Sequence, residues 1–382
     1  MITSKEYVTG TLRKYFADQD AEYTCFVPSR VDREFLLTNR LAEHAEAATQ
    51  LLGELNAYSS IVPDVDFFIS MHIRKEAVQS SRIEGTHTDI DDAVLQEEDI
   101  SPEKRNDWKE VQNYIKALNY SVTRLSELPL ASRLLNETHR ILMQGARGDE
   151  KRPGEIRNKQ NWIGGATLKS AIFIPPHPEF LPNLLSDLEA LWHDRSIAMP
   201  KLIRIAVTHY QFETIHPYSD GNGRIGRLLI MLQMISYGLM DKPTLYMSDF
   251  FEKNRQNYYG ALMEVRTSQN LDHWLAFFLD GVIDAAKSGK QKFEKVMALR
   301  TAYYDRVMKL GRRADKANRL INDMYRNPVT NAAHTSIVLG ISPSNSNLLI
   351  GELVKVGILK EITGFSRNRI FLLDEYIQIF RS

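Results

Sequence analysis

The sequence predicts an all-α protein interrupted by one β-hairpin and closed by a small α/β domain at its C-terminal end. Three observations lead there. Apolar residues recur at three- and four-residue spacing through most of the 382 residues, the period of helices packed on one face. The stretch from Pro153 to Pro178 breaks that rhythm with short apolar runs separated by glycines, which is the pattern of a hairpin. From about residue 296, short helical segments give way to two apolar runs joined through Gly364.

Taken in order, the first thirty residues are mixed in pattern and expected to be extended or loop. From Arg33 to Asn56 the residues Leu37, Leu41, Ala45, Ala48 and Leu52 mark one helix face. A second helix should start near Asp64, after Pro63, and run to Glu84, with Val65, Phe68, Ile69, Ile73 and Ala77 on one side and Gly85 as its stop. Ser80 and Glu84 continue that stripe as polar residues, and periodicity alone favours its rotating out to solvent there. The acidic run from Asp89 to Asp99 reads as a loop or a solvated helix face. Helices follow at Trp108–Ser126 and Ser132–Met143, before a glycine-bearing break at Gly145-Ala146-Arg147-Gly148. Beyond the hairpin come helices at Leu181–His193, Leu202–Ile215, Arg224–Tyr237, Ser248–Arg266 and Asp272–Ala286. In the tail, helical segments near Met297–Leu310, Ala314–Tyr325 and Asn331–Leu339 precede a helix capped by Ser342. Ile358–Ile362 and Arg369–Leu373 then form a hairpin, an arrangement that resembles a winged helix-turn-helix.

Composition bounds the function. Hydrophobic residues make up 43% and charged residues 25%, and no apolar run reaches the roughly 20 residues that span a bilayer. No secretion signal opens the chain, and Cys25 is its only cysteine, so a reducing cytoplasm is expected and Cys25 is expected to be inert. Lysine plus arginine balance aspartate plus glutamate at 48 each, leaving no global field to attract nucleic acid. The ten histidines form no zinc-ligand pattern, and His139, His209 and His273 read as structural.

The densest chemistry lies at His216-Pro217-Tyr218-Ser219-Asp220-Gly221-Asn222-Gly223-Arg224-Ile225-Gly226-Arg227. A Gly-Asn-Gly turn lets backbone N–H groups point at an anion, and a helix starting after it adds its positive dipole end. Arg224 and Arg227, three residues apart, put two guanidinium forks on one face of the first turn. Asp220 is a hard oxygen ligand suited to Mg²⁺, and His216 a proton acceptor near neutral pH. Each residue alone has a bland explanation as turn, cap or surface charge; their co-occurrence in this order does not. The window is neither a Walker loop nor a dinucleotide fingerprint.

This window resembles the signature of the Fic family, His-Pro-Phe-x-Asp/Glu-Gly-Asn-Gly-Arg-x-x-Arg, with Tyr218 in place of phenylalanine. Ser80-Ser81-Arg82-Ile83-Glu84-Gly85 resembles the inhibitory motif of many Fic proteins, Ser/Thr-x-x-x-Glu-Gly/Asn. The resemblance implies a helical core with a hairpin flap, about residues 155–175 and including Ile163, that covers the nucleotide and pairs with an extended target peptide. It implies AMP transfer from ATP to a Ser, Thr or Tyr hydroxyl of a target protein or of the chain itself. In that reaction His216 is the base, Asp220 holds Mg²⁺, and Gly221, Asn222, Gly223, Arg224, Ile225, Gly226 and Arg227 form the phosphate cradle. Tyr258 and Tyr259 lie where the family places adenine and ribose contacts, though Arg266 stands where it often has asparagine. Ser80, Glu84 and Gly85 would form a brake acting on Arg227. The implied organisation is an N-terminal region over 1–110 with an inhibitory helix at about 64–85, a catalytic core over 111–290, and a winged-helix-like domain over 296–382. Other readings are transfer of a different phosphate-containing group, removal of AMP, and a DNA-binding regulator. The helix from Ser342 offers Ser344, Asn345, Ser346 and Asn347 at its start and Lys355 only at its end, so protein docking or support of a homodimer is preferred over DNA.

Overall fold

Helices follow the apolar rhythm through most of the computed structural model, which describes residues 2–3, 6–16, 22–32, 34–61, 65–145 and 151–381. The expected start at Pro63-Asp64 and the break at 146–148 lie outside the described residues.

Two central helices position everything else. Helix α7 (Lys201–Ile215) is buried from Leu202 to Ile215, and α8 (Asn222–Ser236) from Arg224 to Met234, so neither shows a polar face. Such all-round burial marks the middle of a bundle. Around them pack α4 (Arg105–Arg124), α5 (Ser132–Leu142) and α6 (Leu181–His193), together with α2 (Asp66–Ile83), which lies across α4, α8 and α9 (Ser248–Lys253). The helix expected at 248–266 is two, α9 and α10 (Arg255–Ser268). At the break, Asn254 Nδ2 donates to Phe250 O at 3.0 Å, a side chain competing with the helical ladder.

Helices expected at 272–286 and 297–310 are instead one 38-residue helix, α11 (Leu271–Met308). Gly289 reads as a weak point but serves packing: a Cβ there would sit 3.1 Å from Leu55 of α1 (Asn39–Ile61), which lies along α11. Beyond it come α12 (Ala314–Met324), α13 (Ala332–Leu339) and α14 (Pro343–Lys355). A three-stranded antiparallel sheet follows in the order β5 (Val329–Thr330), β7 (Phe371–Leu372), β6 (Lys360–Glu361). Gly340, at φ 62°, ends α13, and Ser342 Oγ accepts from Asn345 N to open α14.

The last helix, α15 (Asp374–Arg381), returns to α2. The Phe380 ring meets His72 edge-on at 5.1 Å, and Arg381 pairs with Asp91 at 2.7 Å. The acidic segment 89–99 is therefore only half solvated: Ile90 and Ala93 of the short helix α3 (Ile90–Ala93) are buried.

The N-terminal residues are extended as expected, but they also pair. Strands β2 (Gly10–Phe16) and β3 (Glu22–Pro28) form an antiparallel hairpin from Gly10↔Pro28 to Phe16↔Glu22, and the two-residue strands β1 (Ile2–Thr3) and β4 (Phe35–Leu36) run parallel. The hairpin expected after Pro153 closes by a single antiparallel bridge, Ile163↔Phe173. Gly164 and Gly165, at φ 70° and 73°, bend the chain out of the extended region at once, so no longer ladder forms. Phe26 N donates to Ile174 O at 3.0 Å and joins the two hairpins. Among the described residues, no single helix is long and apolar enough to cross a membrane.

Candidate functional site

Helix α7 stops at Ile215, where Pro217 forbids continuation and His216 takes a left-handed conformation, φ 51° and ψ 60°. Such a conformation is strained for a residue with a Cβ and must be held from outside. Arg157 holds it. Only 3% exposed, its Nε donates to His216 O at 2.9 Å and its Nη2 to Pro176 O at 2.6 Å, while its own N–H donates to Pro217 O at 2.9 Å. His216 Nδ1 has no hydrogen-bond partner among the described residues. Burial, with the nearby Arg157 and Arg266 guanidiniums, pushes the imidazole down to about 3, so it is neutral at pH 7 and able to accept a proton.

Tyr218 and Asn222 clamp the turn reciprocally. Tyr218 N donates to Asn222 Oδ1 and Asn222 Nδ2 to Tyr218 O, both at 2.8 Å. The tyrosine hydroxyl donates to Asn136 Oδ1 at 2.8 Å, and its ring stacks on His139 at 3.9 Å. His139 Nδ1 accepts from Gly154 N, so its Nε2–H donates to Asp220 O at 3.0 Å. His209 likewise braces Gly226 O through Nδ1 and meets the Tyr258 hydroxyl through Nε2. Both buried histidines have structural partners, while His273 is a surface residue paired with Glu264.

Gly221, at φ 76°, turns the chain into α8. In the first turn Arg224 faces Glu110 at 3.4 Å and Asp220 at 3.6 Å. Arg227 is already occupied: Nε donates to Ser80 Oγ and Nη2 to Ser80 O, each at 2.8 Å, and Nη2 also to Glu84 Oε1 at 2.7 Å. Although burial opposes its charge, the Arg227 and Arg224 guanidiniums hold Glu84 below the usual carboxylate range. Periodicity alone sent Ser80 and Glu84 to solvent. Instead Ser80 is fully buried, because Arg227 supplies the partner that a polar residue on a buried stripe requires. Gly85, at φ 98°, ends α2 beside them.

Two glycines of the motif are close-approach positions. A Cβ on Gly223 would collide with Glu84 Oε1, and one on Gly226 with Glu213 Oε1. Glu213 has no signature in the sequence because it is one of several polar residues of α7, among them Thr208, His209, Gln211 and Thr214, all of them buried. Its Oε1 lacks a partner among the described residues, and burial pushes it up to about 7.

The remaining sequence candidates lie around this centre. Ile163 spends its N–H and carbonyl on Phe173 within the flap, at 2.9 and 3.1 Å. Tyr258 is 1% exposed and Tyr259 42%, so the pair forms core and rim. Arg266 lies over the Phe173 ring at 3.9 Å and donates to Thr214 Oγ1 at 3.1 Å, tying the flap to α7. A cavity of about 220 Å³ adjoins the motif, lined by Glu84, Glu110, Asp220 and Arg224. A larger one, about 1090 Å³, lies at the far ends of α7 and α8 against Trp192 and Tyr237, away from the motif.

Arg157 was missed in the sequence, since a lone arginine in a glycine-rich segment carries no periodicity. Arg157→Met is expected to leave several buried carbonyls without a donor and cost about 2–4 kcal/mol of stability. Chemical denaturation of the variant checks this.

Similarity to known proteins agrees with the geometry. Residues 42–123 match the model of the Fic/DOC family N-terminal region, and residues 129–234 that of the Fic/DOC family. The chain is similar to Protein adenylyltransferase fic-1 of Caenorhabditis briggsae, 33% identical over 127 residues, which are 33% of this chain and 22% of that protein. It is also similar to a probable protein adenylyltransferase, aq_aa38, of Aquifex aeolicus, 35% identical over 95 residues, or 25% and 27% of the two chains. The chain thus spans about a quarter of the length of these relatives. In fold it resembles a Fic family protein from Desulfovibrio desulfuricans G20, with TM-score 0.55 and 18% identity over 90% of this chain and 98% of that one. A Fic domain containing signaling protein from Bacteroides thetaiotaomicron VPI-5482 gives 0.52 and 19%, covering 64% and 95%.

Proposed function

We propose that this chain, which belongs to the Fic/DOC family, is a protein adenylyltransferase that moves AMP from ATP to a Ser, Thr or Tyr hydroxyl of a target protein or of itself, and is autoinhibited. One observation carries the reading: a motif complete in every charged position ends on Arg227, which Glu84 occupies. His216, neutral and with Nδ1 unpartnered, takes the proton from the incoming hydroxyl, raising its nucleophilicity toward the α-phosphorus. Asn222 and the N–H groups of Gly221 and Gly223 receive charge on the α-phosphate at the positive end of α8. Arg224 and Arg227 bind the outer phosphates, so pyrophosphate leaves in line.

Asp220 is 47% exposed on its side chain and borders the cavity beside the motif. One carboxylate together with substrate phosphates is the ligand set Mg²⁺ ordinarily takes, so the residues fit that ion. Bound there it would neutralise phosphate charge. On this reading residues 1–110 carry the brake, 111–290 the catalytic core, and 296–382 a winged-helix-like domain for protein docking or homodimer support.

Label position tests the reaction. ATP labelled at the α-phosphorus is expected to transfer label to protein, and γ-labelled ATP is not. Transfer from the γ position instead would make the chain a phosphotransferase.

A further inference from the structure

Behind the brake helix lies a second polar site that the proposed reaction does not use. His72, Lys75 and Gln79 share one face of α2 and close a cavity of about 20 Å³ with Thr244, Tyr246 and Lys292. About 10–15 Å³ suffices for one water-sized occupant, so the space admits a single small particle. Four atoms of its wall are buried without a hydrogen-bond partner among the described residues: His72 Nε2, Gln79 Oε1, Thr244 Oγ1 and Tyr246 OH. Buried polar groups are ordinarily bonded, and four orphans around one cavity point to an occupant that bonds them together.

The charges say what kind. Of the acids that line the space, Asp249 already accepts from Gln79 Nε2 and Lys253 Nζ at 2.7 Å and pairs with Lys75 at 3.4 Å. Glu76 accepts from Ser248 N, Ser248 Oγ and Tyr114 OH, and burial raises its pKa toward the neutral form. Asp284 is the third acid of the wall. Lys292, 8% exposed, has no hydrogen-bond or ion-pair partner among the described residues, and burial pushes its ammonium down to about 8. The Asp249 and Asp284 carboxylates pull the other way on Lys292 without pairing with it; a buried cation without a direct counter-ion is costly, and a water would satisfy the hydroxyls without supplying one.

We propose that this cavity binds one inorganic anion of halide size. Lys75 and Lys292 supply the charge, and His72 Nε2–H with the Thr244 and Tyr246 hydroxyls donates to the ion. Gln79 Oε1 accepts from a lysine ammonium at its edge. The ion then ties α2 to α11, and Gln79 precedes Ser80, whose oxygens hold Arg227. Its effect on the brake rests on the function proposed above, but binding itself does not.

The test therefore reads no AMP transfer. Melting of the full chain is followed while chloride replaces gluconate at fixed ionic strength and pH 7. A rise of about 2 °C is expected for the wild type. In Lys292→Met the rise is expected to vanish, with stability in gluconate kept or improved, and in Thr244→Val it is expected to shrink. Crystals grown with bromide are expected to show an anomalous peak between Lys75 and Lys292. An equal rise in wild type and Lys292→Met, or a cavity without the peak, would overturn the proposal and leave water as the occupant.

Discussion

Glu84→Gly is expected to raise self-modification by about 10–100-fold. A hydrogen bond to a charged group contributes about 1.5–3 kcal/mol, and a phosphate reaching Arg227 must displace the one from Glu84 before it can bind. Each 1.36 kcal/mol is a factor of about ten in rate, which sets the range. The variant should keep its fold. Ser80 still accepts two bonds from Arg227, so the guanidinium stays oriented after the carboxylate is gone. Incorporation of α-labelled ATP into the purified chain measures the effect, and an unchanged rate would mean that the ion pair is structural only.

Removal of the base has the opposite sign. In the Glu84→Gly background, His216→Ala is expected to lower transfer by about 10²–10⁴-fold, the usual contribution of a positioned proton acceptor. ATP should still bind by calorimetry, since the proposed phosphate contacts come from α8. A pH profile adds an independent check. The imidazole titrates below the ordinary histidine value, pushed there by burial and by Arg157 and Arg266. The neutral form is therefore present above that depressed value, and the acid limb of kcat/KM should fall below pH 6.5 rather than near it. A limb at 6.5 or above would remove a depressed His216 imidazole as the base in the free enzyme.

Much of this was written locally in the chain. Leu181–His193 forms a helix with the bounds its apolar spacing predicts, and the helix after Gly-Asn-Gly begins within two residues of its expected start. Local rhythm cannot encode what depends on distant pairing. Arg157 acts through carbonyls 59 residues away in sequence, and Glu213 is distinguished only by what surrounds it after folding. The continuity of α11 was hidden for a related reason: two helices were expected across 272–310, and at Gly289 the single helix packs on the distant Leu55, 3.1 Å from where a Cβ would stand. Ser80 and Glu84 fall between these cases. Periodicity placed them in solvent, whereas family resemblance paired Glu84 with an arginine 143 residues later, and that contact forms, with Ser80 holding the same arginine.

Gly223 carries a consequence for how such a protein can be tuned. The space above its Cα is where Glu84 Oε1 rests, and on the proposed reaction it is also where a bare backbone N–H would reach an α-phosphate. One missing methyl group therefore seats two rivals. A side chain introduced there would crowd both positions together, so under the proposed inhibition the balance between dormant and active states cannot be adjusted from this glycine. Graded variants must be sought just past the end of α2, by shortening or lengthening the side chain at Glu84 while the seat itself stays bare.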